Sequence, residues 1–271
     1  MGNTYHPTDY DDFAEIYDAE YQGYHASLGD VEFYKSFIRN GSEKVLELCC
    51  GTGRISLQIA KVCSHITGVD VSEKMLQQAY RKLEKENETV KGKVDFLLAD
   101  MKDFYSPLHY DFAFIGFRSF MLLLDVQDQI AALLNIWQHL IKDGFLVISL
   151  AVPTHQKLAR YFNESANEYT YFREFTHPND RYRIVEYEKK SYDQFLQVAI
   201  HHLRHVTVDE NGLEIEITDR QLNVRYTYLH EFMHLARYCG YAIDSIYGGY
   251  RFEPFDKDST EMICVLKRLQ E

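Results

Sequence analysis

Residues 45–53, Val-Leu-Glu-Leu-Cys-Cys-Gly-Thr-Gly, constrain the fold of this chain more than any other stretch. A short apolar run carrying one acid leads into a glycine loop, and Arg54 then opens a helix-patterned segment. A strand that stops at such a loop sets bare backbone N–H groups beside a ligand. Glycine lets the ligand approach without meeting a Cβ, and the following helix N-terminus adds partial positive charge.

Around this loop, from 44 to 152, strand and helix patterns alternate. Strands are expected at 44–49, 65–70, 93–98, 111–116 and 144–152, all short and apolar, as in a parallel sheet covered on both faces. A helix is expected at about 54–62. A second starts after Ser72, an N-cap type, with Met75, Leu76 and Ala79 on one face. A third follows Asp125, carries Ile130, Leu133, Leu134 and Trp137, and is closed by Asp143-Gly144. Such alternation predicts a doubly wound, mostly parallel α/β sheet. Ahead of it, Phe13, Ile16, Tyr17 and Tyr21, then Val31, Tyr34 and Phe37, recur at helical spacing, and Asn40-Gly41 supplies a stop.

After 152 the pattern changes. Leu196, Val198, Ile200, Val206 and Val208 share one strand face, and Asp209-Glu-Asn-Gly212 reads as a hairpin turn. Leu213, Ile215 and Ile217 then alternate with polar residues. An antiparallel insertion of three or four strands is expected over 153–226. A helix at 228–239, stopped by Gly240, and strands at 241–247 and 260–267 complete the sheet to seven strands. The organisation expected is a helical lid over 1–42, a ligand-binding core over 43–152, an acceptor-side cap over 153–226 and a C-terminal completion over 227–271.

The formal net charge of -12 makes a phosphate backbone a poor partner, although a local basic patch would escape this argument. The five cysteines are odd in number and form no C-x-x-C, which fits reduced thiols in a cytoplasmic protein. No apolar run reaches the ~18 residues of a membrane span, no signal peptide is visible, and His6 breaks the myristoylation pattern.

The glycine loop alone serves NAD or S-adenosylmethionine (SAM). The dinucleotide frame would be Gly51, Gly53, Ser56, with the third position only approximate. Glu47, just before the loop, suits a cationic amino group and would repel a pyrophosphate. Asp70 at the next strand end suits ribose hydroxyls and fits either ligand.

With Glu47-Leu-Cys-Cys-Gly-Thr-Gly53, Gly68-Val-Asp-Val-Ser-Glu-Lys-Met-Leu76, Leu98-Ala-Asp-Met101, Tyr110-Asp-Phe-Ala-Phe-Ile-Gly-Phe117 and Lys142-Asp-Gly-Phe-Leu-Val-Ile148 in this order, the chain resembles the class I SAM-dependent methyltransferases over roughly 44–150. The family usually has Gly where Cys49 stands. The flanks resemble those of the small-molecule members, among them the amino-sugar N-methyltransferases.

The resemblance implies roles. Glu47 would hold the SAM amino end, and Gly51 and Gly53 would line its methionine moiety. Asp70 would take the ribose, Val71 and Met75 would pack on adenine, and Asp100 and the Met101 amide would meet adenine N6. Phe117 would sit near the sulfonium. Methyl transfer then leaves S-adenosylhomocysteine (SAH).

Tyr10, Tyr17 and Tyr21 are candidate lid residues, although each could simply pack its helix. Arg118 could meet an anionic acceptor or lie on the surface. A base is needed for a nucleophile that carries a proton, and His155, His201, His205, His230 and Glu231 are candidates. His201 and His205 share a strand face, but packed or solvated histidines are the default and no third ligand is spaced for a metal. In the amino-sugar enzymes a His can follow the fourth strand, where Leu122 stands here. Tyr247-Gly-Gly-Tyr250 and Arg251 could approach the pocket or form a sharp turn. The function expected is methyl transfer to N or O of a small molecule. RNA or protein methylation and non-catalytic SAM binding are the rivals. Oligomeric state is not legible.

Overall fold

The computed structural model describes residues 7–154, 158–159, 168–178 and 182–269. Five parallel strands form the first sheet: β1 Lys44–Leu48, β2 His65–Asp70, β3 Val94–Leu98, β4 Tyr110–Ile115 and β5 Leu140–Ala151. Near the C-terminus β10 Tyr241–Tyr247 and β11 Glu261–Arg268 complete it in the order β10-β11-β5-β4-β1-β2-β3, with β11 antiparallel to both neighbours. The order reverses between β1 and β4, and the chain ends of these strands open a crevice there.

Alternating side chains feed two apolar layers. In β4, Phe112 and Phe114 face one layer while Ala113 and Ile115 face the other. The first layer is covered by α2 Asp30–Lys35, α3 Ser56–Ile59 and α4 Glu73–Leu83, through Phe33, Ile59, Leu76 and Ala79. The second is covered by α6 Val126–His139 and α7 Leu229–Tyr238, through Leu133, Ile136 and Phe232. Each fully buried Leu or Phe contributes about 1.5–3 kcal/mol. The caps foreseen in the sequence are formed: Ser72 Oγ accepts from Met75 N at 3.1 Å, and Asp125 Oδ1 from Gln127 N at 2.6 Å. A one-turn helix α5, Glu88–Lys91, precedes β3.

Two expectations are corrected here. The helix after the glycine loop is a single turn, because the chain tightens after Ile59 and returns to β2 through Val62 and Cys63. The helix before β5 ends at His139, so Asp143-Gly144 does not close it. These residues lie within β5, where Asp143 takes a left-handed φ of 61° and the pairing with β4 shifts register.

The second sheet has the order β6-β7-β8-β9: β6 Thr170–Thr176, β7 Arg183–Asp193, β8 Val198–Val208 and β9 Glu214–Arg225, all antiparallel. The 209–212 hairpin is present, with Gly212 at φ 82° and Asp209 Oδ1 accepting from Asn211 N and Leu213 N. The expectation of one dry face on β9 fails in its first half. Leu213, Ile215 and Ile217 are exposed, because β9 is the edge strand and that half has no layer over it. Among the described residues no helix is long and apolar enough to cross a membrane.

A 3₁₀ segment, Pro7–Phe13, and α1, Tyr17–Leu28, lie across the crevice. Three acids pin them. Asp11 Oδ1 accepts from Ser72 Oγ at 2.6 Å, and Asp18 Oδ1 accepts from Thr52 Oγ1 at 2.8 Å and pairs with Lys82. Glu20 reaches the second sheet, where it meets Arg173 and Arg220.

Candidate active site

A cavity of about 520 Å³ lies between the strand ends of the first sheet and the inner face of the second. Its first wall holds Cys49 and Gly51 from the glycine loop, Asp70, Val71 and Met75 after β2, and Phe117 and Arg118 after β4. Tyr10, Tyr17 and Tyr21 form an edge. Their rings make a chain, Tyr10 to Tyr17 at 6.4 Å, Tyr17 to Tyr21 at 4.9 Å and Tyr21 to Phe117 at 5.2 Å, the last edge-to-face. Burial raises all three phenols, Tyr21 to about 12, so they stand as neutral hydroxyls.

Asp70 joins the loop to the end of β2. Its Oδ2 accepts from Gly51 N at 2.7 Å and its Oδ1 from Ser72 N at 2.9 Å. Burial raises its carboxyl and the backbone donors oppose that rise. A carboxylate has about four acceptor positions, so two bonds leave room for a ligand's hydroxyls. Gly51 has φ 54°, and a Cβ there would meet nothing within 4 Å, so its bare backbone opens to the cavity.

Gly53 does something else. A Cβ there would come within 3.0 Å of Phe96 and 3.1 Å of Ala79, so this glycine seats the loop on α4 instead of lining the cavity. Glu47 also stands behind the wall, fully inside, where Ser56 Oγ donates to its Oε2. Burial pushes its carboxyl up to about 8, against the opposing pull of Ser56 and Arg54. Arg54 itself is held by Asp30. Asp100 and Met101 do not reach the cavity either. The Asp100 carboxylate receives Lys102 N at 2.9 Å and pairs with its ammonium at 3.5 Å, and Met101 belongs to the apolar layer.

The raised Glu47 has a consequence for stability. The folded protein holds a proton there up to about pH 8, whereas the unfolded chain releases it near its ordinary value. The native state therefore binds more protons in that window, and the stabilisation is lost as pH rises through it, by at most about 1.4 kcal/mol per pH unit. In urea unfolding at pH 5.5, 6.5 and 7.5, Glu47→Gln is expected to gain on the wild type at each step. A constant difference would show that Glu47 is ionised throughout.

Cys49 occupies the loop position in a left-handed conformation, φ 56°, which explains why glycine is the usual choice there. Cys49→Gly is expected to be neutral or stabilising in urea unfolding. Cys49→Val is expected to lose about 1–2 kcal/mol, because a β-branched residue fits that region worst. Equal loss in both would contradict this account. Phe117 and Arg118 are consecutive left-handed residues too, φ 52° and 64°, a strained corner at the end of β4. Arg118 is partly exposed and is not a lone cation for the acceptor. Glu261 takes its guanidinium, with Nε at 3.2 Å from Oε2, and Ser149 Oγ accepts from its backbone N–H at 3.0 Å.

The second wall is the inner face of β7, β8 and β9. Glu186, Glu188, Lys190 and Tyr192 alternate along β7, Ala199, His201 and Leu203 along β8, and Leu222 and Val224 along β9. His201 Nδ1 lies 2.9 Å from Glu188 Oε1, and Lys190 Nζ lies 2.5 Å from Glu188 Oε2. Glu186, Glu188 and Lys190 are not among the residues singled out from the sequence, because charges at alternate positions look like the wet face of a strand; their period of two was the available signal.

His205 is buried beside Glu186 at 3.6 Å, in a group with Glu20 whose ligand atoms lie within 4.8 Å of one another. Arg173 and Arg220 already set two positive charges against these two carboxylates, which makes the group an ion network and opposes a cation there. His230 is exposed on α7 and does not line the cavity, and His155 lies outside the described residues. Glu231 pairs with Arg225 at 3.1 Å, behind the strand. Tyr247-Gly-Gly-Tyr250 makes the sharp turn: Gly248 N donates to Glu253 O at 2.7 Å, and Tyr250 packs on Phe33 and Tyr34.

Comparison with known proteins decides the chemistry. A family model described as a methyltransferase domain matches residues 45–144, the stretch that builds the first wall. The protein is a SAM-dependent methyltransferase. The cypemycin N-terminal methyltransferase of a Streptomyces species is 25% identical over 264 residues, covering 97% of this chain and 98% of its own. The CcbJ methyltransferase of Streptomyces caelestis has the same fold, with TM-score 0.77 at 22% identity over 98% of this chain and 100% of its own. The SAM-bound amino pentose methyltransferase CalS10 of Micromonospora echinaspora has it too, with TM-score 0.68 at 18% identity over 99% of each chain. Both likenesses run through the second sheet as well as the first, so the two-walled cavity belongs to a methyltransferase fold.

Proposed function

We propose that this methyltransferase acts on N or O of a small-molecule acceptor held against the second sheet. The observation that carries this reading is the cavity itself. One wall has the open Gly51 backbone and the Asp70 carboxylate that suit a nucleoside, and the facing wall has a different set of polar groups on an apolar floor. The cavity is bounded on both sides and edged by tyrosines, a shape that suits a compact acceptor better than a nucleic-acid duplex. The charge of -12 weighs the same way. The name of the cypemycin relative places its reaction at an N-terminus and that of CalS10 on an amino pentose, which favours nitrogen.

In this reading Asp70 takes the ribose hydroxyls, Gly51 lies along the methionine moiety, and Val71 and Met75 pack on adenine. Phe117 and the tyrosines face the sulfonium. Bound SAM supplies a methyl carbon already activated for displacement; the protein supplies alignment and excludes water. Glu47, behind the loop, holds the SAM amino end through water. Asp100 and Met101 stay outside this set. Residues 1–42 serve as lid, 43–152 as cofactor half, 153–226 as acceptor cap and 227–271 as the completion of the sheet. The five free thiols suit a cytoplasmic setting.

The test pairs SAH calorimetry with transfer of tritiated methyl from SAM to panels of small amines and phenols, peptides and tRNA. Binding of SAH with methylation of a small molecule is expected. Preferential labelling of tRNA or large proteins would overturn the acceptor class. Binding with no labelling of anything would favour a non-catalytic SAM-binding protein.

A further inference from the structure

We propose that His201 is the base that receives the acceptor's proton and that Glu188 is its positioning residue. The proposal rests on the small-molecule acceptor reading above. His201 and Glu188 both line the cavity, on the wall opposite the glycine loop and Asp70. Lys190 stands directly across from His201 in the β7–β8 pairing and holds the second oxygen of Glu188, while Leu222 faces His201 from β9. The groups around the imidazole are thus Glu188 and Lys190 from β7, the apolar Leu203 and Leu222, and, across the cavity, the neutral tyrosines and the Arg118–Glu261 pair.

The arrangement fixes a tautomer. Glu188 is nine-tenths buried and carries bonds from both His201 and Lys190. Burial alone would raise its carboxyl, but these partners outweigh burial and hold it below the ordinary range, so it is ionised and can only accept. Nδ1 of His201 must then carry the proton. Nε2 keeps its lone pair, and among the described residues no protein group bonds it. A dyad with one nitrogen held by a carboxylate and the other free is the arrangement a general base needs.

The step balances without a further reagent. The acceptor N or O gives an electron pair to the methyl carbon, and the carbon–sulfur bond breaks with its pair staying on sulfur to give SAH. The proton leaves the acceptor for His201 Nε2. The imidazolium is stabilised by Glu188 and returns the proton to water after product release. His205, two positions along the same face, cannot take this role because it is buried in the Glu186 network.

Long-range proton–nitrogen correlation on protein labelled with ¹⁵N-histidine, with and without saturating SAH, reads the tautomer directly. The Nδ1–H form is expected for His201 at pH 8, assigned by its loss in His201→Asn. In Glu188→Gln a shift toward the Nε2–H form is expected. A wild-type His201 protonated on Nε2, alone or as imidazolium at pH 8, overturns the proposal. With any amine or phenol that the tritium screen finds methylated, His201→Asn is expected to lower kcat by about 10²–10⁴-fold with little change in KM. It is also expected to remove the acidic limb of the kcat profile. A loss that is the same at every pH, or one confined to KM, overturns the base role. SAH affinity close to wild type in both variants separates this outcome from failure of the methyltransferase reading, in which no variant would bind.

Discussion

Glu20→Leu is expected to detach α1 from the second sheet. Glu20 is buried, and its carboxylate meets both Arg173 and Arg220, while Glu186 bonds Arg173 Nε at 2.6 Å. Two acids and two guanidiniums thus neutralise one another away from water. Removing one acid leaves an uncompensated buried cation, which costs about 3–5 kcal/mol in such settings. The loss falls on α1, because the Glu20 carboxylate ties it to both Arg173 of β6 and Arg220 of β9, while the Tyr21 ring under Arg173 is left as the weaker contact. Amide exchange over Tyr17–Leu28 is expected to accelerate by roughly two to three orders of magnitude, while β1, β4 and β5 keep their protection. Glu20→Leu combined with Arg220→Leu is expected to recover part of the loss, since an apolar pair replaces an orphaned charge. Unchanged exchange in α1, or a double variant worse than the sum of the singles, would contradict the clamp. Tyr17 and Tyr21 ride on α1 and line the cavity, so a loosened α1 should also slow methyl transfer.

Asp70→Ala is the second large effect. The side chain links Gly51 N to Ser72 N and lines the cavity. Its removal takes away two loop bonds and, in the proposed reading, the acceptor of the ribose hydroxyls together. SAH binding is expected to weaken by about 1–3 kcal/mol, or roughly 5- to 150-fold in Kd, from the lost charged hydrogen bonds alone. Asp70→Asn keeps the shape and one acceptor oxygen and should fall between the two. Calorimetric affinity equal to wild type in Asp70→Ala would remove Asp70 from the site.

The first sheet was legible because its signals are local. Val45, Leu46 and Leu48 make an apolar run, Ser72 and Asp125 cap the helices that follow, and Asp70 is fixed by falling at a strand end. The glycine loop was legible as a pair but not in its division of labour: Gly51 faces the cavity and Gly53 faces α4, and only packing separates them. The second wall was the hard part. β7 carries charges at alternate positions, and a strand whose inward face is Glu186, Glu188 and Lys190 cannot be told from one turned to water. Its partners are also remote in sequence: Glu20 with Arg220, and Arg118 with Glu261, are joined only by the fold. Arg118 looked like a cation in search of an anion for that reason. Cys49, an oddity in the sequence, became intelligible through one backbone angle.

A crystal structure of the protein with SAH tests the central claim most directly, that one cavity holds the cofactor on its first wall and the acceptor on its second. The account predicts the ribose hydroxyls on Asp70, the methionine backbone along Gly51, the sulfur toward Phe117, and open space between that sulfur and His201. SAH bound outside this cavity, or extended across the face of β7 and β8 so that no acceptor could reach the sulfur, would contradict it.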